Sequence, residues 1–586
     1  MTTTAMMMIM MMSIGTTIVP PPPPPVVAML WNMIESDDAK ALKQWLDKGN
    51  SLDSLDFYPG EPPLALAARA GAIKVTRLLL SLGEDPKIGN ALIWAVNKRH
   101  NDIAELLLQR GAPPDVMDWG GYSPLQRAID SSDTRLFDLL LKYHADPNFA
   151  ARSDPPIFHA LKVRSSNFTT KLIGHGANVE SRDEKGWTPL AFACYYGLDD
   201  LALILLDHSA DPNQASLGRG RGTPFHAACG WASLKLVKEM LDRGADVHAP
   251  DKEGFTPIFY AVCDLNHPPI FATAADTTEF IPFTESRREV IELLLRRGAD
   301  MTRKTNNGSS LMTYAIKQIR YGAVECLLAN GYNTNEHNEQ GESLLIQHLR
   351  RPNRTVRMAR ILLNAGVPLE EADPKPDWDE GPKRGRVDSA LLAACRRNNG
   401  PEADPALIDL LIERGSDVNY NNTKTGECPL DVAVHENEPE IVEQLYQANA
   451  WRASGYYKIE LMDYSTAYGF PDCIRVLAKY GMDVNSIYLH GAQGELPVHR
   501  AVQRASPSVL KALLDCGANP NAIDSEWNTP LHYAVMKTDC DELRPEMVGL
   551  LIAKGANRDI RNKAGKTALD LAREGGSTEV VEALGR

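Results

Sequence analysis

Apolar residues recur along this chain at helical spacing, in short segments that come in pairs. In one segment Leu531, Ala534 and Val535 fall at i, i+3 and i+4 and give one apolar helix face. About twenty residues later a second apolar segment, Leu550-Leu551, runs into Gly555. Glycine commonly ends a helix because it adopts the left-handed conformation at little cost. The pattern therefore predicts a repeated unit of two helices joined by a turn.

A short phrase opens the first helix of each unit. In Thr529-Pro530-Leu531-His532 the proline suits the first helical turn, where its missing N–H would be unpaired anyway. Thr529 is placed to cap that turn through its hydroxyl. The clearest further copies are Gly186-Trp187-Thr188-Pro189-Leu190, Gly222-Thr223-Pro224-Phe225-His226 and Gly254-Phe255-Thr256-Pro257-Ile258.

The ends of the second helices recur at a regular interval. Successive ends lie 28 to 38 residues apart, except for two intervals of 54 and 49 residues. Such a period indicates stacked repeats, because one unit cannot bury its own apolar face. With its Thr-Pro-Leu-His start, this period resembles that of the ankyrin repeat family over roughly residues 30–586. The end positions are Gly83, Gly111, His144, Gly176, Ser209, Gly244, Gly298, Gly331, Gly366, Gly415, Asn449, Gly481, Gly517 and Gly555.

The resemblance implies an all-α fold, an ankyrin-repeat solenoid of about 15 helix-turn-helix repeats with finger-like turns. We expect one continuous array at 30–586, preceded by a disordered leader rich in Met and Pro at 1–29. The expected repeats lie near 30–56, 57–86, 87–118, 119–150, 151–183, 184–216, 217–251, 252–305, 306–338, 339–371, 372–422, 423–455, 456–488, 489–524, 525–562 and 563–586.

Three segments fall outside the repeat pattern. The leader carries no charged residue and contains the proline run Pro20–Pro25, which favours an extended polyproline II segment. Two hypotheses remain for the leader: it is either a segment that docks into a groove lined by aromatic residues on another protein, or a flexible tail. Two insertions, Asp264–Ser286 and Ala372–Arg386, lengthen their repeats. Each is either a loop that recognises a partner or tolerated surface length.

Charge and cysteine content narrow the functional classes. The net charge of −14 argues against a general nucleic-acid binder. The chain has no apolar run of about 18 residues, so we expect no membrane span. Nine cysteines without a C-x-x-C pair give no zinc or redox motif. Cys194, Cys229 and Cys395 share one position of the first helix, which favours small-residue packing. We expect a cytoplasmic monomer, with the nucleus as an alternative location, and no cofactor or metal.

The sequence offers no catalytic constellation. It contains neither a G-x-S-x-G elbow nor an H-E-x-x-H motif, so we expect no enzymatic activity. Four histidines, His159, His226, His499 and His532, are assigned to the fourth position of the repeated phrase. In the ankyrin family a histidine at that position has a structural, hydrogen-bonding role. The resemblance therefore implies that these four residues stabilise the fold.

A binding surface is what the chain offers instead. In ankyrin-like stacks the turns and the exposed side of the first helices line a concave groove, and residues outside the repeated framework carry its specificity. Aromatic and basic residues are frequent there along one stretch, and such residues dominate interface hot spots. Alternatively, single rings only fill seams between repeats. The candidate partner-binding residues are Trp119, Tyr122, Trp187, Tyr195, Tyr196, Arg219, Arg221, Trp231 and Phe255.

These features predict a protein-interaction scaffold or recruiting adaptor that binds a protein partner along the groove. A second hypothesis is a targeting or regulatory subunit of an enzyme complex, such as a ubiquitin ligase or a kinase. No F-box-like or SOCS-like segment is recognisable in the sequence to support the second hypothesis. Catalysis is a third and weaker hypothesis. Similarity at the level of the fold does not name the partner.

Overall fold

The computed structural model describes residues 25–52, 62–150, 153–215, 222–263, 283–338, 340–369, 388–397, 402–422, 425–450, 461–486, 494–536, 541–575 and 578–585. Within these ranges the chain forms 32 α-helices and no β-strand, with one isolated bridge between His337 and Ser343. The prediction of an all-α repeat fold is confirmed. The helices follow one another in pairs, and the described residues contain sixteen such pairs.

The helices divide into two compact units, each of which is a solenoid. In the first unit every helix packs on its partner and on the corresponding helices of the neighbouring repeats. Its helices are α1 Pro25–Glu35, α2 Ala39–Asp47, α3 Pro63–Ala70, α4 Ile73–Ser81, α5 Ala91–Asn97, α6 Asn101–Gln109, α7 Pro124–Asp130, α8 Thr134–Lys142, α9 Pro156–Lys162, α10 Ser166–Gly174, α11 Pro189–Tyr195, α12 Asp199–Asp207, α13 Pro224–Trp231, α14 Leu234–Asp242, α15 Pro257–Cys263 and α16 Glu285–Arg296.

The second unit repeats the same packing, with a 3-10 turn at Asp541–Leu543. Its helices are α17 Leu311–Lys317, α18 Tyr321–Ala329, α19 Leu344–Leu349, α20 Val356–Asn364, α21 Ala390–Cys395, α22 Pro405–Glu413, α23 Pro429–His435, α24 Pro439–Gln447, α25 Leu461–Tyr468, α26 Pro471–Lys479, α27 Pro497–Gln503, α28 Pro507–Asp515, α29 Pro530–Val535, α30 Arg544–Ala553, α31 Ala568–Gly575 and α32 Thr578–Gly585.

The irregular segments lie largely outside the described residues. Residues 1–24 of the leader do so, and α1 begins at Pro25, five residues before the expected start of the repeats. Of the first insertion only 283–286 are described, where Thr284 caps α16 through its hydroxyl, 3.2 Å from the Arg287 N–H. The insertion at 372–386 lies entirely outside the described ranges.

The glycine rule for helix ends holds along both units. All the end positions deduced from the sequence have a positive φ, as in Gly298 at 92°. Three of them are not glycine: His144 at 63°, Ser209 at 66° and Asn449 at 61°. Side chains other than glycine adopt this conformation at a cost of about 1–2 kcal/mol. The repeat geometry therefore imposes the left-handed turn even where the residue opposes it.

Buried histidines join successive repeats, as the resemblance implied. Nδ1 of His226 accepts a hydrogen bond from the Thr223 N–H (3.0 Å), and Nε2 lies 3.2 Å from the Phe255 carbonyl oxygen of the next repeat. His532 contacts Thr529 and the Lys566 carbonyl in the same way. Both bonds fit the neutral ring with its proton on Nε2. Burial lowers the pKa of these histidines, which keeps the ring neutral.

Asparagines at the finger-like turns make a second connection between repeats. Nδ2 of Asn148 donates to the Gly176 carbonyl (2.9 Å), and its Oδ1 accepts from the Asn178 N–H (2.7 Å). The same two bonds are formed by Asn213, Asn485 and Asn521. One side chain thus satisfies a donor and an acceptor of the next repeat, which neither a carboxylate nor an apolar residue can do.

Candidate interaction surface

The first helix of each repeat has a fixed register, which decides which side chains reach the surface. On α11 the residues at helical positions 1, 2, 3, 5 and 6 are buried. Phe192 and Tyr195, at positions 4 and 7, are half-buried, and Tyr196 at position 8 is exposed. Gly197 at position 9 has a φ of 64° and ends the helix. Positions 4, 7 and 8 therefore form the outward row of α11. Position 4 is buried in some other first helices, as at Tyr260 of α15 and Val432 of α23.

Four predicted rings lie close together on two successive repeats. The ring of Trp187 meets that of Tyr195 edge-on, with centroids 4.6 Å apart, and the Tyr195 and Tyr196 rings are 5.2 Å apart. Trp231, at position 8 of α13, donates its indole N–H to the Tyr195 carbonyl over 2.7 Å. Tyr196 is 42% exposed and Trp231 43% exposed, so both offer ring surface to a partner. We call Trp187, Tyr195, Tyr196 and Trp231 the aromatic patch.

The indole of Trp231 lies against the end of α11, at Gly197. A Cβ on Gly197 would stand 3.6 Å from the Trp231 ring, so the indole packs directly over this backbone. Its positive φ also favours glycine here. Gly197 therefore both ends α11 and contacts the Trp231 indole of the next repeat.

Trp119 and Tyr122 lie in one turn, two repeats before the repeat of Tyr195. Trp119 is 68% exposed and packs on Trp94, with ring centroids 4.7 Å apart. The Arg127 guanidinium stands 4.2 Å from the Tyr122 ring centroid and forms an ion pair with Asp118 at 2.5 Å. Cation–π contacts of this kind stabilise an exposed ring by roughly 0.5–1 kcal/mol. Tyr122 takes the position before the N-cap, as Trp187 does, whereas Trp119 lies three residues earlier in the turn.

Three predicted site residues do not contribute to the described surface. Phe255 is only 6% exposed and packs against Phe259, with centroids 5.4 Å apart. Its ring is buried against the first helix of its own repeat and is not available to a partner. Arg219 and Arg221 lie outside the described residues.

His159 is buried and hydrogen-bonded between repeats, as the resemblance implied, but it does not occupy the framework position of the other histidines. Helix α9 begins at Pro156, so Phe158 takes the buried third helical position, and His159 comes one residue later, at position 4. Its Nδ1 lies 2.7 Å from Oδ1 of Asp130 in the preceding repeat, while its Nε2 is buried without a partner. Pro155 precedes the helix and has no N–H for a histidine to accept from. The framework bond of the other histidines is therefore not formed here.

Glutamine takes over that framework role in another repeat. Gln126 stands at the third position of α7, where its Oε1 accepts from the Ser123 N–H (2.7 Å). Its Nε2 donates to the Asp154 carbonyl of the next repeat (2.7 Å). Because a glutamine amide offers one acceptor and one donor, it reproduces both bonds of a neutral histidine. The Thr-Pro-Leu-His phrase alone does not reveal this equivalent.

A pairing across eight residues was also missed from the sequence. The residue before the N-cap folds back over the last turn of the first helix and meets position 7. In the aromatic patch this pair is Trp187 with Tyr195. In other repeats it is polar: Asp154 with Lys162 at 2.5 Å, Asp388 with Arg396 at 3.3 Å, Glu427 with His435 at 3.7 Å, Glu495 with Gln503 at 2.6 Å, Lys566 with Glu574 at 2.6 Å, and Glu342 with Arg350.

In the second unit these pairs join into a continuous zigzag across three repeats. Arg350 also contacts Asp388 of the next repeat (3.0 Å), and Arg396 contacts Glu427 of the one after (2.7 Å). The Asp388 side chain is only 7% exposed, so its charge is weakly screened. Although burial opposes it, Glu427 and Asp388 raise the pKa of Arg396. The zigzag follows Glu342, Arg350, Asp388, Arg396, Glu427 and His435.

A groove lies beside the aromatic patch. It encloses about 310 Å³ and is lined by Phe192 and Tyr196 together with charged residues of both signs, among them Lys162, Arg164 and Asp183. The Asp154 carboxylate is held here by Lys162, and its pKa is lowered although burial opposes the shift. The groove can accept an apolar side chain against the rings, with charges at its margin.

The same residues offer little for metal binding, membrane insertion or thiol chemistry. Across the described ranges, no three His, Cys, Asp or Glu side chains are grouped so as to hold a metal ion. No helix among these residues combines the length and apolar character of a membrane span. Cys194, Cys229 and Cys395 are buried, and burial raises the pKa of the Cys395 thiol to about 12. These thiols stay protonated, which fits a packing role.

Family models match much of the chain. A model described as "Ankyrin repeats (3 copies)" matches residues 30–118, 64–151, 125–216 and 498–585. A second, described as "Ankyrin repeats (many copies)", matches residues 225–267. The matched ranges contain the aromatic patch and the α27–α32 region.

Similar proteins carry the same repeats in different contexts. Rabankyrin-5 of Mus musculus is 24% identical over 364 residues, covering 55% of this chain and 30% of that protein. The E3 ubiquitin-protein ligase KEG of Arabidopsis thaliana is 22% identical over 428 residues, covering 69% of this chain and 22% of the ligase. The putative ankyrin repeat protein FPV230 of Fowlpox virus (strain NVSL) is 30% identical over 179 residues, covering 30% of this chain and 93% of the viral protein. The alignments thus span less than a third of the first two relatives.

Proposed function

Since the chain belongs to the ankyrin-repeat family, whose repeats imply protein–protein interaction, we propose that it is a scaffold or recruiting adaptor. In this proposal a protein partner lies along the first-helix face of the first unit. The aromatic patch of Trp187, Tyr195, Tyr196 and Trp231 anchors it. Trp119, Tyr122 and the groove beside Tyr196 extend the contact.

The observation that carries this proposal is the arrangement of the patch. Its rings are fixed by contacts with one another and by the Trp231 indole hydrogen bond, yet Tyr196 and Trp231 keep exposed faces. Large side chains that are already ordered lose little conformational entropy when a partner covers them. Trp and Tyr are also enriched among interface residues whose truncation costs about 2 kcal/mol or more. Binding without catalysis, to a cytoplasmic or nuclear partner, is part of this proposal.

A second candidate is a targeting subunit that presents a partner to a ubiquitin ligase. It is favoured by the names of two relatives, the ligase KEG and the human Ankyrin repeat and SOCS box protein 16. The latter is 30% identical over 211 residues, which cover 33% of this chain. Ankyrin repeats in such a targeting subunit would supply the surface that recruits the partner. This role is a special case of the recruiting adaptor proposed above.

Affinity purification of the full chain, followed by mass spectrometry, tests both candidates. We expect a protein partner that is retained by the natural chain and lost by the double variant Tyr196→Ala, Trp231→Ala. The control is Trp527→Gly, which removes an exposed indole (55% exposed) from a turn in the second unit. Co-purifying ligase subunits would favour the targeting role. Retention of every partner by the double variant would overturn the assignment to the aromatic patch.

A further inference from the structure

The rings of the aromatic patch are crossed, unlike the exposed rings of α25. The Trp187 and Tyr195 rings are inclined at 69° to each other, and those of Tyr195 and Tyr196 at 82°. In the second unit the exposed Tyr468 lies at only 29° to Tyr464, so that pair is a nearly flat stack. Crossed rings leave corners between their faces, whereas stacked rings leave one flat surface. A compact and rigid side chain can therefore be enclosed by ring faces on the patch.

The free polar groups of the patch are mainly hydrogen-bond donors. The indole N–H of Trp187 and the hydroxyl of Tyr196 form no hydrogen bond with any described residue. The Tyr195 carbonyl oxygen, an acceptor at the same helix end, already accepts from the Trp231 indole over 2.7 Å. An indole N–H only donates, whereas a tyrosine hydroxyl donates and accepts. The patch therefore suits a segment that presents carbonyl oxygens and few N–H groups.

A run of prolines is the kind of peptide segment that meets both requirements. Proline has no N–H, and its ring fixes φ near −65°, so a proline run favours a stiff polyproline II helix with solvated carbonyls. Such a helix binds in grooves lined by aromatic side chains. Because it is extended before it binds, it loses less conformational entropy than a flexible segment does. The same chain contains one such run, Pro20–Pro25.

The run cannot reach the aromatic patch of its own chain. Pro25 opens α1, and the patch begins at α11, five first helices further along the first unit. Helices of neighbouring repeats pack about 8–10 Å apart, so the separation is about 40–50 Å. The prolines of the run together span only about 19 Å, at about 3.1 Å per residue. A run that fills the patch must therefore come from another copy of the chain.

The leader is also the part of one copy that meets the least electrostatic repulsion from another. Each copy carries a net charge of −14, so two copies repel each other as whole molecules. Residues 1–29 contain no charged residue, however, and the ring faces of the patch are uncharged as well. At physiological ionic strength, exposed charges more than about 8 Å apart are largely screened. An uncharged segment therefore matches an uncharged surface.

We propose that the Pro20–Pro25 run of one copy binds the aromatic patch of a second copy. Proline rings lie in the corners between Trp187, Tyr195 and Tyr196, and backbone carbonyls accept from the Trp187 indole and the Tyr196 hydroxyl. The inference rests on the proposed function of the patch and adds its regulation, because a bound leader covers the rings that a protein partner needs.

The two contacting surfaces differ, so the contact is head to tail and can continue from copy to copy. Self-association should consequently compete with partner binding as the concentration of the chain rises. The monomer expected from the sequence would then prevail only in dilute solution.

A labelled peptide of residues 16–28 tests the contact by fluorescence anisotropy on the full chain. We expect saturable binding that is lost when serine replaces every proline of the peptide. Tyr196→Ala should weaken peptide binding about tenfold or more, because an anchoring ring is removed. Tyr468→Ala takes an exposed ring from the same helical position in the second unit and should leave the affinity within about twofold. The proposal is overturned if the peptide does not bind, or if these two variants bind it equally well.

Complementary variants show whether the occupant is a second copy. Sedimentation velocity of the natural chain should show a mass that rises with concentration. The Tyr196→Ala chain, and a chain with serine in place of Pro20–Pro24, should each remain at 64.5 kDa. Mixed in equal amounts, these two variants should form a pair of about twice that mass, because one supplies the run and the other the patch. Peptide binding without any rise in mass would overturn the second copy as occupant and leave a proline-rich segment of another protein.

The serine variant of the leader also separates this inference from the proposed function. Its aromatic patch is intact and Pro25 still opens α1, so it should capture the protein partner without self-association. If the natural chain never self-associates but loses its partner through Tyr196→Ala with Trp231→Ala, the contact between copies is refuted and the partner site stands. Self-association that needs both surfaces, in a chain that captures no partner, would refute the scaffold and support the contact.

Discussion

Trp187 and Tyr195 are eight residues apart in the sequence, and their rings meet edge-on with centroids 4.6 Å apart. In several other repeats the same two positions hold an acidic and a basic residue. Glu342 and Arg350 are their counterparts in the second unit. Both pairs fasten the finger-like turn to the end of the first helix. The same backbone geometry therefore supports either an ion pair or a pair of rings, and the choice changes only the surface.

Replacing the rings by an ion pair should separate stability from binding. In Trp187→Glu with Tyr195→Arg the pair can form the contact seen between Glu342 and Arg350, so we expect the free energy of unfolding to stay within about 1 kcal/mol. Binding of the partner captured by the first unit should be lost, because two anchoring rings are gone. Urea unfolding followed by circular dichroism, together with the pull-down, checks both. The single change Trp187→Glu serves as the unpaired control and should destabilise more than the double change.

Asp115 occupies the turn position at which Asn148, Asn213, Asn485 and Asn521 make both bonds to the next repeat. Its Oδ1 accepts from the Asp146 N–H (3.0 Å), but a carboxylate has no proton to donate to the next carbonyl. Asp115→Asn should restore the missing bond and stabilise this repeat by about 1 kcal/mol. Hydrogen exchange of the peptide covering 143–150 measures the gain. The reciprocal Asn148→Asp should lose a comparable amount at Gly176, and equal protection in both variants would refute this account of the turns.

The same aspartate gives the stabilisation a pH dependence. Burial raises the pKa of Asp115 above its ordinary 3.8, and the charge of Asp146 adds to the shift. The folded state therefore favours the protonated acid, and stability falls as pH rises from 3.8 through the folded pKa. The advantage of Asp115→Asn should be small at pH 3 and complete near neutrality. Exchange rates measured across this range check the trend, and a constant difference would exclude titration of Asp115 as its cause.

Glutamine should replace the framework histidine of the α29 repeat. Burial lowers the pKa of His532 below 6.5, so its neutral form is favoured in the fold and the stability it gives is lost as pH falls below 6.5. His532→Gln should keep both hydrogen bonds, as Gln126 does naturally, and remove this acid sensitivity. Thermal unfolding at pH 5 and pH 7 measures the difference between variant and natural chain. His532→Ala, which cannot accept from the Thr529 N–H, should be destabilised by about 1–3 kcal/mol at both.

The left-handed helix ends can be improved or damaged by one residue. Ser209 has a φ of 66° where most repeats have glycine, so Ser209→Gly should stabilise its repeat by about 0.5–1 kcal/mol. Gly298→Val should destabilise by about 2 kcal/mol, because β-branched residues resist positive φ. No atom lies within 4 Å of a Cβ built on Gly298, so the cost comes from the backbone alone. Calorimetry of the two variants would contradict the argument if both shifted the transition the same way.

The sequence predicted the fold well because each repeat carries its own signals for its two helices. Apolar spacing, an N-cap and a helix-ending residue agree in most repeats, and the positive φ of His144 and Ser209 shows that the helix end keeps its conformation without glycine. The two prolines at the start of α9 were the exception. Either Pro155 or Pro156 suits the start of a helix, and only the structure shows that Pro156 is the first helical residue. His159 was therefore assigned one position too early in the motif.

The candidate surface was harder to predict than the fold. Exposure decides whether a ring can bind, and Phe255 and Trp231 look alike in the sequence although one is buried and the other is not. Trp187 and Tyr195 are eight residues apart in the sequence, a separation that neither the helix period nor the strand period predicts as a contact. They meet because the turn folds back over the end of the helix. The stacked rings of Tyr464 and Tyr468 were also not predicted, since no Thr-Pro-Leu-His phrase marks their repeat.

The hydrogen bonds that Gln126, Asn148 and His226 make between repeats run in one direction along the chain. Each of these side chains belongs to the earlier repeat, and the carbonyl it reaches belongs to the later one. A repeat emerging from the ribosome thus holds polar groups that only the next repeat can satisfy. The folded part of the nascent chain should consequently trail synthesis by one repeat beyond the tunnel exit. A product truncated between two repeats would end in a repeat whose hydrogen-bond donors have no partner. Chaperones and proteases should recognise such a product.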